Sequence, residues 1–306
     1  MTTQALATEA RADAATPYTR RARYHCAENG FDFTWPPVPA RQFLAERDRA
    51  FDARTPTGLI ALDTAADLGT AYPVTTPALL VRYVKVRAGE KLRTQLVASG
   101  EIYYVYSGSG ESRNGGDTIA WGAGDAFCFP GGGETVHRAG GEEALLILVT
   151  NEPLLAFEGT QGPAPGQARV LATHWPAAEI EKHFQAVWER PITANTTGHS
   201  VALTSTALAS TTTTASINVA INSLAPGCDQ RPHRHNGAAV TFALQGEGVY
   251  SLIDDQRVDW SNGTAQITPA TRLHSHHNRG SQRMRSLVIQ DEGLHYYTRT
   301  PGFSFD

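Results

Sequence analysis

Apolar and polar positions along most of this chain alternate or run in short blocks, the pattern of β-strands rather than helices. Leu79 opens the first series: LLVRYVKV (79–86), EIYYVYSG (101–108), DAFCFP (125–130) and ALLILVT (144–150). Each is rich in β-branched and aromatic residues and is bounded by turn formers such as Gly89, Gly100, Gly108, Gly110 and the Gly131–Gly133 run. A second series follows in SVALTSTAL (200–208), TASINVAINSLAPG (214–227), AAVTFALQGEGVYSLI (238–253), AQITP (265–269) and MRSLVIQDE (284–292). Between them, HWPAAEIEKHFQAVWERP (174–191) switches to helical spacing, with Ile180, Phe184 and Val187 on one face and Pro191 ending it. Short strands with a turn signal every ten residues or so predict a sandwich or barrel in each series.

The two series repeat. VYSGSGES corresponds to ALQGEGVYSL, and WGAGDAFCFPGG to WSNGTAQITPAT, at a separation of roughly 138 residues, the mark of an internal duplication. The predicted organisation is therefore an N-terminal arm over 1–50, a first barrel over 51–160, a linker with a helix over 161–196 and a second barrel over 197–306. The arm is polar up to Arg23 and then aromatic and Pro-rich through Phe31, Phe33, Trp35, Pro36 and Pro37, so it is expected to pack on a barrel or on a second subunit, which predicts a homo-oligomer.

Composition narrows the partners. With 306 residues, 26 basic against 30 acidic side chains and no basic patch, nucleic acid is not an expected partner. No apolar run approaches the length of a membrane span, and the first residues lack a signal-peptide core. The three cysteines, Cys26, Cys128 and Cys228, are far apart and form no disulfide framework, which points to a reducing, cytoplasmic setting.

The candidate chemistry lies in the second series. Gly227 is followed after five residues by His233-Arg234-His235, then by Ala239 and Gly246; Gly263 is followed by Pro269, Thr271, His274 and Asn278. Alternate residues of a strand share a face, so His233 and His235 point the same way, and a third imidazole from another strand closes a triangle. Neutral imidazoles suit Fe, Ni, Cu or Zn, and three protein ligands leave coordination positions open. His276 shares the face of His274 and is a candidate base or hydrogen-bond donor, whereas His277 faces away.

These spacings resemble the two cupin signatures, G-x5-H-x-H-x3,4-E-x6-G and G-x5-P-x-G-x2-H-x3-N, with Ala239 at the glutamate position and Thr271 at the inner glycine. The resemblance covers both halves and implies an all-β bicupin, two double-stranded β-helix (jelly-roll) barrels joined by a short helical linker. In the first half Glu101, Gly108, Gly124, Pro130 and Gly132 keep the frame, but Thr94–Val97 and Thr135 replace the histidines, with His137 two residues late. The first barrel is thus expected to be structural.

HRHNGAAVTFALQGEG and TPATRLHSHHN resemble the gentisate 1,2-dioxygenase-like group, with salicylate and 1-hydroxy-2-naphthoate dioxygenases. That resemblance implies Fe(II) held by His233, His235 and His274, a small-molecule substrate and O2, and oxidative ring cleavage of a hydroxylated aromatic acid, with His276 assisting proton movement. Zn, Ni or Mn are the alternative metals. An arginine that commonly follows the second motif histidine by six residues is Thr241 here, so Arg231, Arg257 and Arg272 become the candidate carboxylate partners. Trp260, Phe242 and Tyr250 are the candidate pocket walls. Three other readings share the site: a three-His dioxygenase of a diketone or thiol, a metal-dependent lyase or isomerase, and a non-enzymatic binding cupin.

Overall fold

The computed structural model describes residues 16–22, 35–164, 166–191, 198–208 and 211–305. The chain divides into a unit of residues 1–37 and a unit of residues 38–306. In the first unit the described residues carry one short 3-10 turn, Thr19–Arg21, and Trp35 is 74% exposed. The predicted contacts of Phe31 and Phe33, and the state of Cys26, lie outside the described residues.

Among the described residues, twenty strands build the second unit as four antiparallel sheets, two per barrel. The first barrel combines a six-stranded sheet, in which Leu80–Val86, Ala144–Thr150, Gly100–Ser107 and Ala126–Pro130 lie side by side, with a four-stranded sheet running Lys91–Gln95, Glu134–Ala139, Ser109–Asn114, Asp117–Gly122. The second repeats the plan. One sheet orders His199–Ala202, Asn218–Leu224, Met284–Gln290, Ala239–Gln245 and Ala265–Thr268; the other orders Gln256–Asp259, Val249–Ile253, His274–Asn278, His233–His235 and Phe303–Phe305. The helix Ala177–Trp188 joins the halves and buries Ile180 and Phe184, as its 3.6-residue spacing requires. No helix among the described residues is long and apolar enough to cross a membrane.

Strand alternation assigns the two faces of each inner strand different jobs. Val81, Tyr83, Ile147, Val149, Val240, Phe242, Ile267, Leu287 and Ile289 form the shared core between the barrels, where Tyr83 Oη donates to Gly263 O at 2.6 Å. Phe242 meets Tyr83 at 5.7 Å and Tyr106 at 5.8 Å in that core. It is therefore not a pocket wall: residue 242 alternates with Thr241, and only one of them can face the barrel interior. The segment before the helix Leu44–Phe51 crosses to the second barrel, with Phe43 N donating to Ala265 O and Ile267 N to Arg41 O.

The opposite faces fill the first barrel. Val84, Val86, Tyr103, Val105, Trp121, Phe127, Phe129, Leu146 and Leu148 pack into one apolar cluster. A buried polar chain threads it. Trp121 Nε1 donates to Ser112 Oγ, Ser112 meets His137 Nδ1 at 2.6 Å, His137 Nε2 lies 3.2 Å from Tyr103 Oη, and Tyr103 and Thr135 both donate to Glu101 Oε2. Burial pushes the Glu101 carboxyl above its usual range and lowers His137 to about 4.

The sign for His137 follows from that lowering. The unfolded chain takes up the proton near pH 6.5 and the folded protein only near 4, so this residue's contribution is complete above 6.5 and is lost as pH falls. It should cost about 2 kcal/mol on going from pH 7.5 to 5. Urea unfolding of the metal-free protein at both pH values, beside His137→Gln, checks this. The variant should lose about 2 kcal/mol less than the wild type over that range; the other buried histidines with lowered pKa values, and Glu101 with its raised one, titrate in both proteins and drop out of the comparison.

Candidate metal centre in the second barrel

His233 and His235 stand two apart on one strand, and His274 opens the neighbouring strand directly opposite His233. All three are buried, and one ring nitrogen of each lies within 4.8 Å of the others. The orientation is set by the backbone. Each Nδ1 hydrogen-bonds a carbonyl two residues away: His233 to Arg231 at 2.9 Å, His235 to Gly237 at 2.7 Å and His274 to Arg272 at 3.0 Å. A carbonyl only accepts, so each Nδ1 carries the proton and each Nε2 keeps its lone pair. Three neutral imidazoles therefore present three lone pairs to one place, the donor set a divalent transition metal takes.

Burial keeps these rings neutral. It lowers His233 to about 4 and His274 to about 2, the latter helped by repulsion from His233, His235 and His276, and it lowers His235 as well. Glu292 Oε1 approaches His235 Nδ1 at 3.7 Å, and burial raises that carboxyl to about 7. Thr271, at the cupin inner-glycine position, has φ 65°. A β-branched residue is strained there, and the strain is held by Thr271 N donating to His235 O at 2.7 Å. Its counterpart in the first barrel is Gly132, with φ 85°.

His276 is set up differently. Its Nδ1 lies 2.9 Å from Ser251 Oγ, which also receives Trp260 Nε1 at 2.7 Å and Gln266 Nε2 at 2.6 Å. With both acceptor positions of the hydroxyl filled, Ser251 donates to His276 Nδ1, and the hydrogen of His276 sits on Nε2. The ring centroid of His276 is 6.0 Å from that of His274. It is thus a neutral hydrogen-bond donor rather than a base.

The other predicted residues separate. Thr241 is buried opposite Gln266, on the interior face. Trp260 meets His276 edge-on at 5.2 Å. Tyr250 stacks on His277 at 4.6 Å, on the outer side of its strand, and is not a wall of the site. His277 itself is held by Asp229 at 2.7 Å and Ser275 at 2.8 Å, facing away from the cluster. Arg257 lies on Tyr250 and pairs with Asp259, and Arg272 pairs with Asp254, so both are engaged on the exposed surface. Arg231 lies over the Phe305 ring at 4.7 Å. Sequence reasoning missed Ser251, Gln266 and Glu292. The repeat held a signal for Ser251, because Ser112, Trp121 and His137 recur at one constant spacing as Ser251, Trp260 and His276.

Strand register shows how the second interior was opened. Tyr103 faces Phe127 in the first barrel, where Thr241 faces Gln266 in the second; Glu101 faces Phe129, where Ala239 faces Thr268. Aromatic filling is replaced by short or polar side chains, and Gln266 Oε1, Thr268 Oγ1 and Ser286 Oγ are buried without a hydrogen-bond partner. Buried polar atoms left in this state suit a polar ligand.

Fold and site together define a bicupin with a three-histidine centre in its C-terminal barrel. Residues 221–290 match the cupin domain family. Over 83 residues, 27% of this chain, it is 32% identical to a gentisate 1,2-dioxygenase of Ralstonia sp, and over 85 residues, 28% of the chain, 32% identical to a 5-aminosalicylate 1,2-dioxygenase of Comamonas sp. Each match spans 23% of the relative's length, so the likeness is to a portion of those proteins. In fold, it superposes on the salicylate 1,2-dioxygenase of Pseudaminobacter salicylatoxidans with a TM-score of 0.73 at 10% identity, covering 90% of both chains. A cupin 2 conserved barrel domain protein of Leptotrichia buccalis gives 0.52 at 13% identity over 85% of this chain and 98% of its own. The chain is similar in sequence to gentisate 1,2-dioxygenase over its matched stretch, and the described residues of its second unit have the bicupin fold.

Glu101 and Ala239 occupy matching registers, and Glu101 reaches Thr135, the counterpart of His274. Ala239→Glu should therefore bring a carboxylate to the histidines and tighten divalent-metal binding about tenfold or more, read by competition with a chelator. Unchanged affinity in a folded variant would show that position 239 does not address the cluster.

Proposed function

We propose that this protein is a mononuclear non-haem Fe(II) dioxygenase that uses O2 to cleave the ring of a hydroxylated aromatic acid. The observation that carries the reading is the set of three converging Nε2 lone pairs facing a barrel interior of short and polar side chains. The names of the partial relatives support the substrate class. His233, His235 and His274 would hold the iron, which supplies the one-electron chemistry that O2 needs to react with a closed-shell ring.

The chain's own groups divide the remaining work. His276, with its hydrogen on Nε2, donates a hydrogen bond towards negative charge developing on an oxygen beside the cluster, and Ser251, Trp260 and Gln266 hold it in that state. Thr241, Gln266, Thr268 and Ser286 hydrogen-bond the polar substituents of the substrate. Arg231, two residues before His233 and beside the Phe305 ring, is the candidate partner for its carboxylate; Arg257 and Arg272 lie on the exposed surface away from the cluster and are not proposed for that role. The proposed setting is the cytoplasm, and the proposed assembly a homo-oligomer.

One observation favours a second reading. Among the described residues no lysine or arginine is buried in the second barrel, and a neutral chelating substrate such as a β-diketone would need none. Oxygen uptake by iron-loaded protein, with gentisate, salicylate and acetylacetone offered in parallel, separates the two. The primary reading predicts uptake stoichiometric with loss of the aromatic acid, and uptake with acetylacetone alone would replace it. Turnover under argon would overturn both. His276→Ala should lower kcat roughly 10²-fold while leaving iron content unchanged.

A further inference from the structure

We propose that the C-terminal strand Phe303–Phe305 is the aromatic wall of the substrate pocket and that Phe303 selects planar ring substrates, an inference that rests on the ring-cleaving reading above. The strand pairs antiparallel with His233–His235, in the register His233 to Phe305, Arg234 to Ser304 and His235 to Phe303. Residues directly opposite in an antiparallel pair share a face. Phe303 and Phe305 therefore lie on the side of the sheet that carries the metal-binding histidines. The Phe303 ring stacks on His233 at 5.0 Å and 24°, and Phe305 stands edge-on to Phe303 at 4.9 Å. Phe303 nonetheless stays 51% exposed, so it is not spent on filling the barrel core.

The rest of the site lacks such a surface. Positions that hold Tyr103, Phe127 and Phe129 in the first barrel hold Thr241, Gln266 and Thr268 here, so the interior offers hydrogen bonds but little for a ring to lie against. Trp260 is turned edge-on to His276 and tied to Ser251. The C-terminal strand supplies the missing element, and it does so only where the histidines are. In the first barrel the counterpart of His233–His235, Lys91–Gln95, is the edge of its sheet, with no strand beyond it among the described residues.

The strand is latched by one side chain. Asn236, next to His235, donates from Nδ2 to Thr300 O at 2.7 Å and accepts at Oδ1 from Gly302 N at 2.9 Å, while its own N donates to Gly302 O at 3.1 Å. A Cβ on Gly302 would sit 3.0 Å from Asn236 Cγ, close enough that the amide would have to shift by a few tenths of an ångström. The latch ties the position of the wall to the strand that bears two of the three ligands. Stacking of a ligand ring against a fixed phenyl ring is worth roughly tenfold in affinity.

The test is anaerobic titration of the full-length, iron(II)-loaded protein with two probes, gentisate and the non-aromatic chelator oxalate. It uses wild type, Phe303→Leu, which keeps an apolar side chain on the strand, and Phe303→Trp. The expected result is a gentisate Kd about tenfold weaker in Phe303→Leu and restored in Phe303→Trp, with oxalate Kd and iron content the same in all three. Gentisate bound equally by wild type and Phe303→Leu, or both probes weakened in parallel, overturns the wall and leaves the ring-cleaving reading standing. No gentisate binding by iron-loaded wild type rejects that reading and the wall with it.

Discussion

Three hydrogen bonds from imidazole Nδ1 to main-chain carbonyls underlie the whole site. Each takes the proton away from the Nε2 atom that faces the cluster, so the lone pairs converge before any ligand arrives. The strands make this possible at little cost. His233 and His235 share a face, His274 sits opposite His233, and the accepting carbonyls belong to residues two positions away on the same segments. Burial then keeps the rings neutral, which is the form a metal requires.

The two barrels show what the duplication kept and what it changed. Both hold a tryptophan, a serine and a histidine joined through the serine hydroxyl, Trp121–Ser112–His137 in one and Trp260–Ser251–His276 in the other. In the first barrel that chain ends in Tyr103 and Glu101 inside a packed aromatic core. In the second, the core residues are short or polar, threonines give way to histidines, and His276 is left facing the cluster. The first barrel stabilises the pair through the apolar face the two share, and the second presents chemistry on the face that remains.

Much of this was legible in the chain itself. Period-two runs mark the strands, and the i, i+2 histidine pair with its glycine and proline frame marks the cluster, because both signals are set by local geometry. The faces of long apolar runs were not legible. AAVTF offers no polar residue outside Thr241 to say which side is interior, so Phe242 reads as a pocket wall when it belongs to the core between the barrels. Tyr250 failed for the same reason, one position away from Ser251. Phe303–Phe305 is too short to read as a strand, and its pairing with a segment some seventy residues earlier is a tertiary fact. The docking of Arg41–Phe43 on the distant second barrel is another.

The pre-set ligand triangle is tested most directly by elemental analysis of anaerobically purified protein, wild type beside His274→Ala. Near-stoichiometric iron in the wild type, lost in the variant with the fold intact, is the predicted result. Metal-free wild-type protein that also fails to take up iron(II), zinc or nickel on reconstitution would contradict it.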